Sequence, residues 1–179
     1  MACGHAGAQT PSSKLMSLLA AEEYVPLGFD LAQLGPGIPE QLISIASESA
    51  VDPAYRARAL ALLQFYPGNV DVQNYLNRFL AQEDQSSTLM RPALIALAKV
   101  SRGNAIQGLS RHLSSEDVLI RGGAADALFL TGDPAATAIL RTHASVEKEV
   151  FLRKHMEDMI TKQTENADKT VTTPFKMQH

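Results

Sequence analysis

Asp117-Val118-Leu119-Ile120-Arg121-Gly122-Gly123-Ala124-Ala125-Asp126-Ala127-Leu128, followed by Gly132-Asp133-Pro134-Ala135, is the stretch that decides the fold. Ile120, Ala124 and Leu128 fall on one stripe of a helix of period 3.6. Gly132 then tolerates the left-handed conformation that ends a helix. Asp133 is an N-cap type, and Pro134 suits the first position of the next helix. The stretch therefore reads as a longer helix A over 116–130, a tight turn, and a shorter helix B over 134–143.

Working outward, Arg121 belongs to a series with Arg56, Arg91 and Arg153, spaced 35, 30 and 32 positions apart. That is the length of a two-helix repeat. An apolar pair or its like precedes each arginine: Ala54-Tyr55, Leu89-Met90, Leu119-Ile120 and Phe151-Leu152. Three positions on come Ala59, Leu94, Ala124 and Met156; seven on come Leu63, Ala98, Leu128 and Ile160. An acid stands four before three of the anchors (Asp52, Asp117 and Glu149), in the favourable i,i+4 order, with Ser87 in that place before Arg91. Gly68 and Gly103 close the earlier A helices, and Asn69 and Asn104 cap the B helices after them. A helices are predicted over 53–66, 87–101, 116–130 and 146–161, and B helices over 70–82, 105–113 and 134–143.

On these residues the chain resembles the bilin-lyase type of HEAT repeat: an acid, an apolar pair, arginine, an alanine-rich helix and a Gly-Asp-Pro turn. The resemblance is fullest over 116–143, looser over 52–113, and covers half a unit over 145–161. It departs at Pro92, inside an A helix, and in the earlier turns, which lack Gly-Asp-Pro. It implies an all-α, right-handed α-α superhelix, a short solenoid with its B helices on the concave face.

The flanks differ from the repeats. Residues 14–24 and 39–50 read as two helices of an N-terminal cap over 14–50, separated by a loop rich in glycine and proline. Terminal units of such arrays are atypical because one face meets water. A flexible N-terminus over 1–13 and a polar, threonine-rich disordered tail over 162–179 are expected, leaving 14–161 as a single helical domain.

Composition narrows the function. At 45% hydrophobic and 20% charged, the chain is that of an ordinary globular domain. Its formal net charge of −3 offers no global attraction for nucleic acid. No apolar run is long enough for a transmembrane helix. A lone cysteine, Cys3, excludes an internal disulfide and a multi-thiolate zinc site. The expected location is cytoplasmic; the alternative is an envelope lipoprotein processed at Cys3, since Met1-Ala2-Cys3-Gly4 resembles such a junction.

Catalytic signals are missing from the sequence. It has no phosphate loop, no nucleophile elbow and no Cys-x-x-Cys. The five histidines, His5, His112, His143, His155 and His179, form no metal-spaced pair; Cys3 with His5 is at most an adventitious chelate. Neither metal nor cofactor is expected, and an enzyme is the lesser reading. The anchor arginines read as stacking elements, paired with the acid one turn earlier or with the next unit, with a functional ladder as the alternative. Gly122 and Gly123 inside a helix point to close helix packing, with a hinge or a close ligand approach to the backbone as the alternative.

The binding candidates lie on the B helices. Arg78, Arg111 and Arg141 come late in theirs, where a cation complements the macrodipole or forms a ridge for an acidic partner. Asn74, Gln107, His112 and His143, with Gln73, Asn77 and Thr137, would make that face polar. The leading expectation is a scaffold or adaptor that grips a protein or peptide there. Alternatives are a bilin-lyase-like enzyme or accessory factor, by resemblance alone, and a small-molecule cleft between the cap and the first full repeat. For that cleft the sequence presents no polar constellation.

Overall fold

The computed structural model describes residues 12–21, 26–82 and 84–171. The described residues are helical throughout, with no strand. Helices α1 (Ser13–Ala20), α2 (Gly28–Ala32) and α3 (Ile38–Ser47) precede the segments read as repeats. Helices α4 (Pro53–Leu62), α6 (Ser87–Ser101), α8 (Val118–Thr131) and α10 (Val150–Val171) occupy the A positions. Helices α5 (Val70–Leu80), α7 (Ile106–Ser110) and α9 (Pro134–Ala144) occupy the B positions.

Local chemistry sets the boundaries. Asp52, Asn69, Asp117 and Asp133 each accept a backbone N–H of the helix they open, at 2.7–3.0 Å. Pro53 and Pro134 follow two of these caps at positions whose N–H has no helical partner. Gly68 (φ +76°) and Gly132 (φ +67°) take the left-handed conformation at the ends of their A segments.

Packing follows the register. Helix α6 lies between α4 and α8, α8 also meets α10, and each B helix lies along A helices, with α7 also touching α9. Ala59, Leu94, Ala124 and Met156, the residues three after each anchor, are all fully buried. One contiguous core runs from Leu15 in α1 to Met159 in α10. The Gly68 N–H and the Gln73 amide both donate to Val100 O, tying the first turn to the end of α6.

Several expectations are corrected. The acids ahead of Arg56 and Arg121 are caps rather than ion-pair partners. Arg56 Nε instead donates to Ala46 O at the end of α3 (3.1 Å). Arg153 Nη1 likewise reaches the backbone oxygen of Glu147 (3.2 Å), whereas Arg91 pairs forward with Asp126 of α8 (3.0 Å). Gly103 does not provide the left-handed turn. Arg102 does, at φ 48°, while Gly103 and Asn104 sit inside a 3-10 turn over Arg102–Ala105. Gly103 has another reason to be small, because a Cβ there would lie 3.1 Å from Asp133 Oδ2. The second B helix is cut to the five residues of α7, between 3-10 turns.

Close packing accounts for one of the paired glycines. A Cβ on Gly123 would lie 3.0 Å from Arg91 Cγ and 3.4 Å from Arg91 Cα, so α6 and α8 approach each other there. Gly122 would meet only Leu152 Cδ1, at an ordinary 3.7 Å.

At the flanks, α2 forms within the stretch read as loop. The cap helices end earlier, at Ala20 and Ser47, than residues 24 and 50. Helix α10 runs on to Val171, past residue 162, where the composition predicts the start of a disordered tail. Cys3, His5 and residues 172–179 lie outside the described residues. No helix among the described residues is long and apolar enough to cross a membrane.

Candidate functional site

Three adjoining depressions run along α5. The first, about 850 Å³, lies between α5, α6 and the α7 segment, and includes Asn77, Arg111, His112 and Glu116 in its lining. The second, about 560 Å³, is lined by Asp71, Asn74, Asn77 and Arg78 with Ile43 and Tyr75. The third, about 520 Å³, lies between α3, α4 and α5 and includes Ser47, Arg56, Tyr75 and Arg78. Asn77 is common to the first two, Arg78 to the last two, and Gln82 and Gln85 to the first and third. Together they form one trough.

Four of the expected site residues are in this trough: Arg78, Asn74, Arg111 and His112. Gln107 is exposed on α7 but lines none of the three depressions, and neither do Arg141 and His143 on α9. Thr137 is buried at 7% exposure, so it belongs to the packing of α9 and not to a recognition surface. Gln73 spends its amide on Val100 O (3.4 Å).

Charge in the trough is uneven. Arg78 Nε donates to Asn74 O one turn back (3.3 Å), which directs the guanidinium along the helix end. Neither Arg78 nor Arg111 is in an ion pair among the described residues. Burial, reinforced by the Arg111 charge, pushes the His112 imidazole below its usual value, so His112 is neutral near pH 7. The Arg111–His112 end therefore sets one cation and an uncharged ring beside the carboxylate of Glu116.

Sequence reasoning missed Tyr75 and gave Arg56 chiefly a stacking role. Tyr75 reads as one member of the apolar stripe of α5, and its ring does pack on Phe79 with centroids 6.1 Å apart. Its hydroxyl, however, is buried without a hydrogen-bond partner; Ser47 sits beside it without closing a bond and donates to Ile43 O at 2.7 Å. Burial raises the Tyr75 hydroxyl above its usual range, against the lowering influence of Ser47, Arg56 and Arg78. Arg56, for which a functional ladder is the lesser alternative to stacking, also lines the third depression. A hydroxyl on an apolar stripe is the one local signal that could have flagged this place.

Two charged clusters lie elsewhere. Asp126 on α8 receives Arg91 Nη2 (3.0 Å) from α6 and His155 Nε2 (2.7 Å) from α10. Arg121 holds Glu147, and its Nη1 donates to Ser115 O and Glu116 O (2.9 and 3.0 Å). Both clusters join successive units, which is a structural task. Among the described residues no group of three His, Cys, Asp or Glu side chains is placed to hold a metal ion. In comparisons with known proteins, no family model matches this chain and no curated protein matches it significantly.

Proposed function

We propose that this chain is a short solenoid of HEAT-like repeats that binds an acidic protein or peptide segment along the α5–α7 trough. What supports the repeat reading is the recurrence of one register, with four buried residues three positions after four arginines. Alternate helices also pack in sequence, α4 on α6, α6 on α8, α8 on α10.

The observation that carries the binding reading is the presence of Arg78 and Arg111, cations without acidic partners, on adjoining depressions that share Asn77. A shallow, extended surface with exposed amides and two free guanidinium groups suits an extended acidic segment. Arginine accepts a carboxylate in a two-point geometry that sets register as well as strength. Asp71 and Glu116 on the same walls repel misplaced acids, which sharpens the register. Arg141 and His143 would extend the surface on α9 for a longer partner.

Nuclear magnetic resonance titration of the full chain with a peptide alternating glutamate and leucine tests this. Saturable shifts confined to α5 and residues 106–114 support the trough. Shifts confined to the outer faces of α4, α6 and α8 sink it.

A further inference from the structure

The geometry points to a small-molecule site in the third depression, where Arg56 and Arg78 clamp the carboxylate of an organic anion whose apolar body lies against Ile43 and Phe79. This site is separate from the Arg111 end of the trough. It takes a ligand small enough to sit between the cap and the first repeat.

The lining is assembled from three elements. Helix α3 and its end provide Ile43, Ser47 and Ser49; α4 provides Arg56; α5 provides Tyr75, Arg78 and Phe79. No carboxylate lines the depression. Each guanidinium is oriented by its own Nε, bonded to Ala46 O for Arg56 and to Asn74 O for Arg78, at 3.1 and 3.3 Å. Those bonds leave the Nη groups of both arginines without an acidic partner among the described residues.

A second, independent observation is Tyr75. Its side chain is only 8% exposed, it lines this depression, and its hydroxyl has no hydrogen-bond partner. That oxygen is closed to solvent and is no contact for the ligand, but both guanidinium groups act on it electrostatically, which gathers Arg56 and Arg78 around Tyr75. An oxyanion supplies acceptors to both guanidinium groups at once. The volume, about 520 Å³, is within the range of roughly 300–1,000 Å³ usual for small-molecule sites. That is far more than a bare anion fills, and the Phe79 and Ile43 walls account for the remainder with apolar contact. Ser47, Ser49, Gln82 and Gln85 provide the few polar groups that orient such a ligand.

Hydrocinnamate, a carboxylate on a phenylethyl body, is the probe, titrated into the full chain by calorimetry with amide and arginine Nε–H resonances followed in parallel. Saturable binding with shifts at Tyr75, Arg78 and Ser47 is expected. Hydrocinnamamide, which lacks the charge, binds roughly tenfold more weakly or worse, and so does hydrocinnamate to Arg78→Gln. Arg78 is exposed, so that variant keeps its fold. Inorganic phosphate, without an apolar body, binds more weakly than hydrocinnamate. Hydrocinnamate that binds where the glutamate–leucine peptide does not, or the reverse, tells failure of the trough from failure of this site. Equal affinity for acid and amide, indifference to Arg78→Gln, tighter binding of phosphate, or absence of saturable binding each overturns the site.

Discussion

Arg121 holds Glu147 through two parallel hydrogen bonds, Nε to Oε2 and Nη2 to Oε1, each 2.8 Å long. The side chains are 14% and 6% exposed, so the pair is largely shielded from water. Because Nη1 also donates to the carbonyls of Ser115 and Glu116, one guanidinium pins the entry of α8 to the loop that leads into α10. Among the described ion pairs it is the one most shielded from water.

Glu147→Gln removes the charge from that link while nearly keeping its shape. A hydrogen bond to a charged group contributes about 1.5–3 kcal/mol, and a loss of that order is expected in urea denaturation. The wild-type pair also gives acid sensitivity. Hydrogen bonding from Arg121 holds the Glu147 carboxyl below its usual 4.5, outweighing burial. A depressed folded value means the stabilisation is complete above pH 4.5 and fades as pH falls through the lower folded value. Melting temperature against pH should show this acid loss in the parent and a flatter acid limb in Glu147→Gln.

Adjacent glycines should respond in opposite directions. Gly122→Ala adds a methyl in ordinary contact with Leu152 and removes a helix-interior glycine, so a gain of about 0.5–1 kcal/mol is expected. Gly123→Ala forces a Cβ to 3.0 Å from Arg91 Cγ and presses α8 off α6. The strain, typically about 1–3 kcal/mol, outweighs the propensity gain. Thermal melts of the two variants side by side decide the matter; a gain in both would mean that α6 and α8 are not in close contact.

The caps give a clean discrimination between two roles for one acid. If Asp117 serves Arg121 as an ion partner, Asp117→Asn should destabilise the chain. As an N-cap it should not, because asparagine caps as well as aspartate, whereas Asp117→Ala loses about 1 kcal/mol. The 2.7 Å bond from Leu119 N to Asp117 Oδ1 favours the cap, and the same contrast is expected at Asp52.

Alkaline pH probes Tyr66. Burial, with the Glu40 charge adding to it, pushes its hydroxyl from 10.0 up to about 12. A raised folded value means its share of stability is intact below pH 10 and is lost as pH climbs toward about 12. Tyrosinate absorbance in the parent and in Tyr66→Phe should differ by one late-titrating group. Tyr75→Phe should be neutral or stabilising, because it deletes a hydroxyl that has no partner.

Legibility in the sequence tracked the range of the interactions. The α8–turn–α9 unit was readable because Gly132, Asp133 and Pro134 act within a few residues of where they stand. The core register was readable because the period of a helix places Ala59, Leu94, Ala124 and Met156 on one face. The second turn was misread because its left-handed residue is Arg102, for which no composition rule exists, while Gly103 is small to accommodate Asp133 of the next unit. Tail helicity beyond residue 161 was missed because polar, threonine-rich composition was weighed above continuity of α10.

The site was less legible than the fold. Arg78 and Arg111 are singled out from position alone, whereas the trough they line is built by α3 and α6 as much as by α5. Arg56, Ser47 and Tyr75 come together from three helices, and no spacing rule joins them. Thr137 sat at a B-helix position that looked exposed, but the packing of α9 against α8 and α10 buries it.

Affinity for the glutamate–leucine peptide, compared between the parent and the Arg78→Glu, Arg111→Glu double variant by calorimetry, tests the binding role most directly. Both proteins must first show the same helical circular dichroism and melt. Saturable binding by the parent that falls roughly a hundredfold or more in the variant is the expected result, each arginine contributing about tenfold. Binding that is equal in the two proteins, or absent from the parent, contradicts it.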